Sequence, residues 1–188
     1  TLDAPPDAFT FVQGLLADMF ETDPDKPADA ALVEAALGEY QQALVVDQSS
    51  SLTSEAGQKA VAALAGRVIF LALDQYGSTL NFAQQDSDDV LPVALPRVVD
   101  LVKYPAAIAP IAWRLLGRTL VVDSLESAVM FRAILPAGYR FVTRDGQLLD
   151  VDGRIIVGGA SSASGAAGGL IGRRSELAKL HRQIEELE

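Results

Sequence analysis

The chain of 188 residues has no cysteine and a single histidine, His181. Without cysteine there can be neither disulfides nor thiolate metal sites, and one histidine rules out a His-rich metal cluster. It also leaves only one candidate base for any Ser-His-Asp machinery. No apolar run approaches the roughly 20 residues that span a bilayer. Aromatic residues are sparse at 6%, yet 49% of the chain is hydrophobic and 21% charged, the balance of an ordinary globular protein. Positive charge is also scarce: fifteen Lys and Arg against twenty-five Asp and Glu give −10, against a protein that coats itself in cations to bind nucleic acid. The deficit lies in residues 1–94, where three basic side chains (Lys26, Lys59 and Arg67) face fifteen acidic ones. The chain opens at Thr1 with no basic, apolar signal-like segment, so it reads as a piece of something longer or a processed product, expected in the cytoplasm.

One pattern is present twice. Asp18-Met-Phe-Glu21 leads through Pro24 into the helical stretch Ala28–Leu37, Gly38 and Ala43-Leu-Val-Val-Asp47. Asp100-Leu-Val-Lys103 leads through Pro105 into Ile108–Leu116, Gly117 and Thr119-Leu-Val-Val-Asp123. Each copy continues into a second helical stretch, Ala56–Ala65 or Leu125–Leu135, a glycine, Gly66 or Gly138, and an apolar run, Val68–Leu71 or Tyr139–Thr143. Leu-Val-Val is a β-branched run suited to a buried strand. The residues after it can cap a helix, and Asp123 with Glu126 has capping-box spacing. Glycine then supplies the left-handed residue that ends each helix. Strand, helix and strand make a βαβ unit. The expected fold is therefore mixed α/β, with two pseudo-repeated βαβ-containing subdomains at 9–83 and 95–157. The polar segment 84–94 joins them as a solvated loop. Asp145-Gly146 and Asp152-Gly153 are turn dipeptides that predict a hairpin ahead of Arg154-Ile-Ile-Val157.

Residues 158–172 hold six glycines in fifteen. Gly158-Gly-Ala-Ser-Ser-Ala-Ser-Gly165 is not G-x-G-x-x-G, and no Gly-Lys-Ser/Thr occurs, which argues against a nucleotide cradle. A flexible linker and a close backbone contact at a subunit interface both fit such a stretch. Beyond it, Leu177, Leu180, Ile184 and Leu187 follow 3-4-3 spacing, a short heptad seam over 173–188 that stops where the chain stops. Its partner helix is expected upstream of Thr1, with residues 1–8 as the junction and Pro5-Pro6 interrupting any helix there.

Taken in order, Ala36-Leu-Gly38, Leu44-Val-Val-Asp47, Leu120-Val-Val-Asp123, Val142-Thr-Arg-Asp-Gly146, Gly158-Gly159, Gly168-Gly169 and Arg173-Arg174 resemble the hinge domain of structural maintenance of chromosomes (SMC) proteins of the bacterial kind. The resemblance runs from about Phe9 to Leu180. It implies a two-subdomain hinge that homodimerises and joins two coiled-coil arms, closing a ring around DNA in chromosome condensation and segregation. The parent protein would be an ATPase through distal heads. The hinge itself would be no enzyme, would need no cofactor, and would associate with the nucleoid. The resemblance lifts the interface reading of the glycines above the linker, so Gly158, Gly159, Gly168 and Gly169 are the expected dimer contacts. A small α/β ligand- or nucleotide-binding module using the glycine segment is the alternative.

The remaining features read more plainly. Arg173, Arg174, Lys179 and Arg182 form a dense basic cluster, either helix-surface charge among Glu176, Glu185 and Glu186 or a weak, non-specific DNA contact at the root of the arms. His181 reads as a solvated helix residue and Asp86, Asp88 and Asp89 as solvated charge without the spacing of a calcium loop. Asp47 and Asp123 read as helix caps rather than catalytic carboxylates, and Trp113 and Tyr104 as core or near-core aromatics.

Overall fold

The computed structural model describes residues 9–77, 94–158 and 170–185. The polar linker Gln84–Asp89 and the glycines Gly159, Gly168 and Gly169 lie outside the described residues. In the first half, β1 (Val12–Leu15) pairs antiparallel with β3 (Leu44–Val46), and β3 runs parallel to β4 (Phe70–Ala72). The second half repeats the parallel pair as β6 (Thr119–Val122) and β7 (Arg140–Thr143). It then extends the sheet antiparallel through β8 (Leu148–Leu149) and β9 (Ile155–Ile156). Both Leu-Val-Val segments are thus strands of βαβ units. The turns Asp145-Gly146 and Asp152-Gly153 form the predicted hairpin connections, with Gly146 and Gly153 at φ of 77° and 92°.

Each parallel pair is preceded by a 3-10 turn, Leu16–Met19 or Val98–Leu101, and a two-residue strand, β2 (Glu21–Thr22) or β5 (Val102–Lys103). The strands β2 and β5 pair with each other, antiparallel, Glu21 opposite Lys103. These two residues hold the same place in the two copies of the sequence pattern, so the halves meet about a local twofold at this pair. Had the copies been identical, like charges would face each other; opposite charges at such a position favour pairing by about 0.2–1 kcal/mol.

The helix after β2, α1 (Pro27–Leu37), starts with proline in its first turn and stops at Gly38, whose φ of 54° suits glycine. Its counterpart α4 (Ala109–Leu116) ends differently. Gly117 is helical at φ −61°, and a methyl group there would lie 2.5 Å from the Trp113 carbonyl oxygen and 2.7 Å from its indole ring. Glycine is required at 117 for close packing rather than for a left-handed turn. Trp113 and Tyr104 are partly buried against the core.

Between the parallel strands of the first half lie α2 (Ser49–Thr53) and α3 (Glu55–Ala62); in the second half a single helix, α5 (Leu125–Ile134), takes their place. The expected glycine stops need correction. These helices end at Ala62 and Ile134, before Gly66 and Gly138, whose φ values of 113° and 101° instead turn the chain into the next strand. Of the Asp and Ser residues expected to cap after each Leu-Val-Val run, a serine does so in the second half, and the reading of Asp47 and Asp123 as caps needs correction. Ser124 caps α5, its hydroxyl accepting from the Ser127 amide at 3.2 Å, while Asp123 accepts from Arg144 at 2.9 Å. In the first half Ser54 caps α3, and Asp47 accepts from the Gln13 side chain. The N-terminus of α2 is held by Asp74, which follows β4 and accepts from both the amide and the hydroxyl of Ser49. The Ser49 hydroxyl bond, followed by its amide, holds the Asp74 carboxyl below its ordinary pKa.

One hydrophobic core is shared by both halves. It takes in Leu16, Phe20, Val33, Leu37 and Val45 from the first and Val98, Ile111, Leu116, Val121 and Val142 from the second. A smaller cluster, including Leu120, Phe141 and Leu149, lies under α5 on the other face of the second sheet. The last helix, α6 (Leu170–Glu185), returns to the first half, with Ile171 1% exposed in the shared core. Among the described residues no helix is long and apolar enough to cross a membrane.

The revised cap assignment predicts unequal costs. Ser124→Ala should destabilise the fold by about 1 kcal/mol. Asp123→Ala, which removes only an exposed ion pair, should cost less than about 0.5 kcal/mol in chemical denaturation.

Candidate interaction site

Two neighbourhoods combine exposed apolar surface with charge placed to hold it. The first is the outer edge of the second sheet. Here β9 has no partner beyond β8 among the described residues, and Ile155, Ile156 and Val157 are 48%, 45% and 64% exposed. An apolar strand edge left open is a template for another strand unless something covers it.

The loop before this edge is clamped from three sides. Arg132, on α5, donates to the carbonyls of Asp150 and Val151 at 2.8 and 3.0 Å. Arg154 reaches Asp152 at 2.6 Å and Asp150 at 2.9 Å. The Arg154 amide, more than any other group, holds the Asp152 carboxyl below its usual range; Asp152 in turn raises the Arg154 guanidinium.

The third clamp also joins the halves. Arg140, on β7, lies 3.2 Å from Asp150 without the alignment of a hydrogen bond, an ionic contact between side chains only 19% and 14% exposed. The same guanidinium donates to the carbonyl of Leu115 on α4 at 3.3 Å and to that of Ala36 on α1 at 3.0 Å. One side chain therefore ties the edge hairpin, the second sheet and the central helix of the first half. Nothing in the sequence around Arg140 distinguished it, because its partners are brought together only by the fold.

Gly158 follows β9, exposed, at φ 82°, with none of the described residues within 4 Å of the position a Cβ would take. Space for close approach is therefore available at the one predicted interface glycine that is described.

The second neighbourhood is the root of α6. Leu177, Leu180 and Ile184 are 57%, 49% and 57% exposed, so the predicted seam lies open along the helix; Leu187 is outside the described residues. On the helix's other side Ile171 and Ser175 are buried. Arg174 donates to the Asp18 carbonyl and stands 3.8 Å from Glu21, and Arg182 lies 3.4 Å from Asp25. Arg173 and Lys179 are exposed on the same helix, as is His181. The four predicted basic residues therefore share one helix, but Arg174 and Arg182 face carboxylates of this chain. Sequence reasoning also missed Glu34, a buried carboxylate on α1 whose Oε1 accepts from the Gly172 amide at 2.7 Å. Among the described residues no cluster of His, Cys, Asp and Glu could hold a metal ion.

A duplicated βαβ body with an open strand edge and a protruding seam-bearing helix defines a class of interaction domain. Residues 9–132 match the family described as SMC proteins Flexible Hinge Domain, and the chain belongs to that family. It is 33% identical over 172 residues to the chromosome partition protein Smc of Rhodopirellula baltica, covering 92% of this chain and 14% of that protein. The fold superposes on an asymmetric dimer of the Geobacillus stearothermophilus SMC hinge domain with a TM-score of 0.68 and 28% identity, covering 93% of this chain and 67% of that one. It also matches the Pyrococcus furiosus Smc hinge domain with an extended coiled coil, at a TM-score of 0.62 and 24% identity, covering 99% of this chain and 62% of that one. The chain thus spans only about one-seventh of the length of the curated relative.

Arg140→Leu should lower stability by about 1–3 kcal/mol, because it removes a part-buried guanidinium's donors to two carbonyls and leaves Asp150 with Arg154 as its one arginine partner. Arg144→Leu, which breaks the exposed pair with Asp123, should cost less than about 1 kcal/mol. Equal costs in urea denaturation would contradict Arg140's role as a tie between the halves.

Proposed function

We propose that this chain is the homodimerising hinge of a bacterial SMC chromosome partition protein, joining two coiled-coil arms and closing a ring around DNA. The observation that carries the reading is the open apolar edge of β9 running into Gly158. The first sheet offers a complementary edge, since β4 has no partner beyond β3 among the described residues. A twofold dimer that sets β9 of one copy against β4 of the other covers both of these edges in two equivalent junctions and closes on itself rather than propagating. Gly158, Gly159, Gly168 and Gly169 then allow close backbone approach beside that junction. The dimer named for the Geobacillus hinge supports this reading.

Membership in the hinge family supports a mechanical and interaction element over a nucleotide-binding module. ATP hydrolysis belongs in this reading to heads at the far ends of the arms, and the whole protein works on the nucleoid in the cytoplasm. DNA contact by Arg173, Arg174, Lys179 and Arg182 is weak and non-specific, because phosphates would have to displace Glu21 from Arg174 and Asp25 from Arg182 within an acidic body.

Light scattering at micromolar concentration should give twice the chain mass, from an interface of about 1,200–2,000 Å² in total. Ile156→Lys, which places a charge on the open edge, should give a folded monomer with an unchanged far-UV spectrum. A fully dimeric Ile156→Lys protein, or a monomeric parent chain, would overturn the edge-strand reading.

A further inference from the structure

The root of α6 is unusual in its chemistry. Glu34 lies on α1 among Ala30, Leu32, Val33, Ala36 and Leu37, all buried, and is itself only 7% exposed. A carboxylate in such surroundings is costly unless charge-assisted hydrogen bonds compensate it. The partner is the Gly172 amide, two residues after the start of α6, where helix geometry leaves N–H groups without intrahelical acceptors. The positive end of the helix dipole points the same way. Glu34 therefore caps a helix 138 residues away in sequence.

The rest of the helix is held less firmly. A crevice of about 590 Å³ opens between α6 and the β2 region, and the hydroxyls of Thr22 and Ser175 in its walls have no hydrogen-bond partner among the described residues. Farther out, the ion pairs of Arg174 with Glu21 and Arg182 with Asp25 join side chains 47–68% exposed, the kind that salt screens. The helix is held at separate points, and the buried one lies at its root.

We propose that Glu34 is the positioning residue that fixes the direction in which the C-terminal arm helix leaves the body, by holding that helix's first turn through the Gly172 amide. The outer ion pairs form a second, salt-sensitive strap. Because α1 also packs against α4 and β7, the latch refers the arm to both halves rather than to one. Its meaning for an arm rests on the hinge reading; the contact itself does not.

The absence of cysteine allows clean double labelling. Nitroxides at Ala28→Cys on α1 and Lys179→Cys on α6, both exposed positions, report the angle of the helix to the body, and the exchange rate of the Gly172 amide reports the latch. Glu34→Gln, nearly the same size but uncharged, should speed that exchange about tenfold, the scale of one charge-assisted hydrogen bond. It should also broaden the distance distribution, whereas Glu39→Gln, beyond the end of α1, should change neither. Glu34→Leu should have the larger effect, but Glu34→Gln decides the matter if the leucine variant fails to fold. About 1 M salt should broaden the distances of the parent chain while leaving Gly172 protected. Exchange and distances unchanged in Glu34→Gln, or loss of Gly172 protection in salt alone, would overturn the latch. Light scattering on the same samples separates this from the hinge reading: a monomeric parent chain with Gly172 protected by Glu34 would refute the dimer and leave the latch standing.

Discussion

The structure depends on the burial of α1. This helix belongs by sequence to the first half, yet it packs on the Val98–Leu101 turn, on α4 and on β7 of the second half, as well as on α6. Ala30, Val33, Ala36 and Leu37 are each no more than 2% exposed, and even Glu34 is covered. A helix apolar around most of its circumference must be surrounded, and neither βαβ unit can surround it alone. The two halves are therefore completed by each other. The β2–β5 pair and the Arg140 bonds to Ala36 and Leu115 add directional contacts to that common core.

Two sheet edges are left over, β4 in the first half and β9 in the second, each without a further neighbour among the described residues. They arise where the repeat breaks down: β7, the counterpart of β4, is covered by β8, and the edge passes outward to β9. Two edges of different parentage meet the requirement for a closed dimer with two equivalent junctions. The shared core also gives α6 somewhere to dock: it emerges after the second half but seats Ile171 among first-half residues. A force along that helix would reach both sheets through α1, which suits a joint between arms.

Much of this was legible in the sequence where the signal was local. The repeated Leu-Val-Val runs became parallel strands, the Ala28–Leu37 and Ile108–Leu116 stretches became helices, and the Asp-Gly pairs became turns, because each rests on the preferences of neighbouring residues. The heptad spacing of Leu177, Leu180 and Ile184 predicted a seam, and those side chains are exposed on one helix. What failed depended on atoms rather than types. Asp123 and Ser124 are both capping residues, and only the backbone path shows that the serine faces the open amides while the aspartate meets Arg144. Arg174 and Arg182 counted as surface cations, but the returning helix places them beside Asp18, Glu21 and Asp25. Arg140 and Glu34 could not be picked out, since their partners lie 104 and 138 residues away along the chain. The family resemblance was carried by the order of many weak motifs, a property of the whole chain that no single contact reveals.

The central claim is that the two halves fold as one unit around α1. Native-state hydrogen exchange across a denaturant series tests it most directly, because each protected amide reports the free energy of the opening that exposes it. Amides of β3 in the first half, α1 between the halves and β6 in the second should converge on one global opening energy with one denaturant dependence. Separate plateaus for β3 and β6, with α1 following only the first, would show two independently stable units and would contradict the shared core.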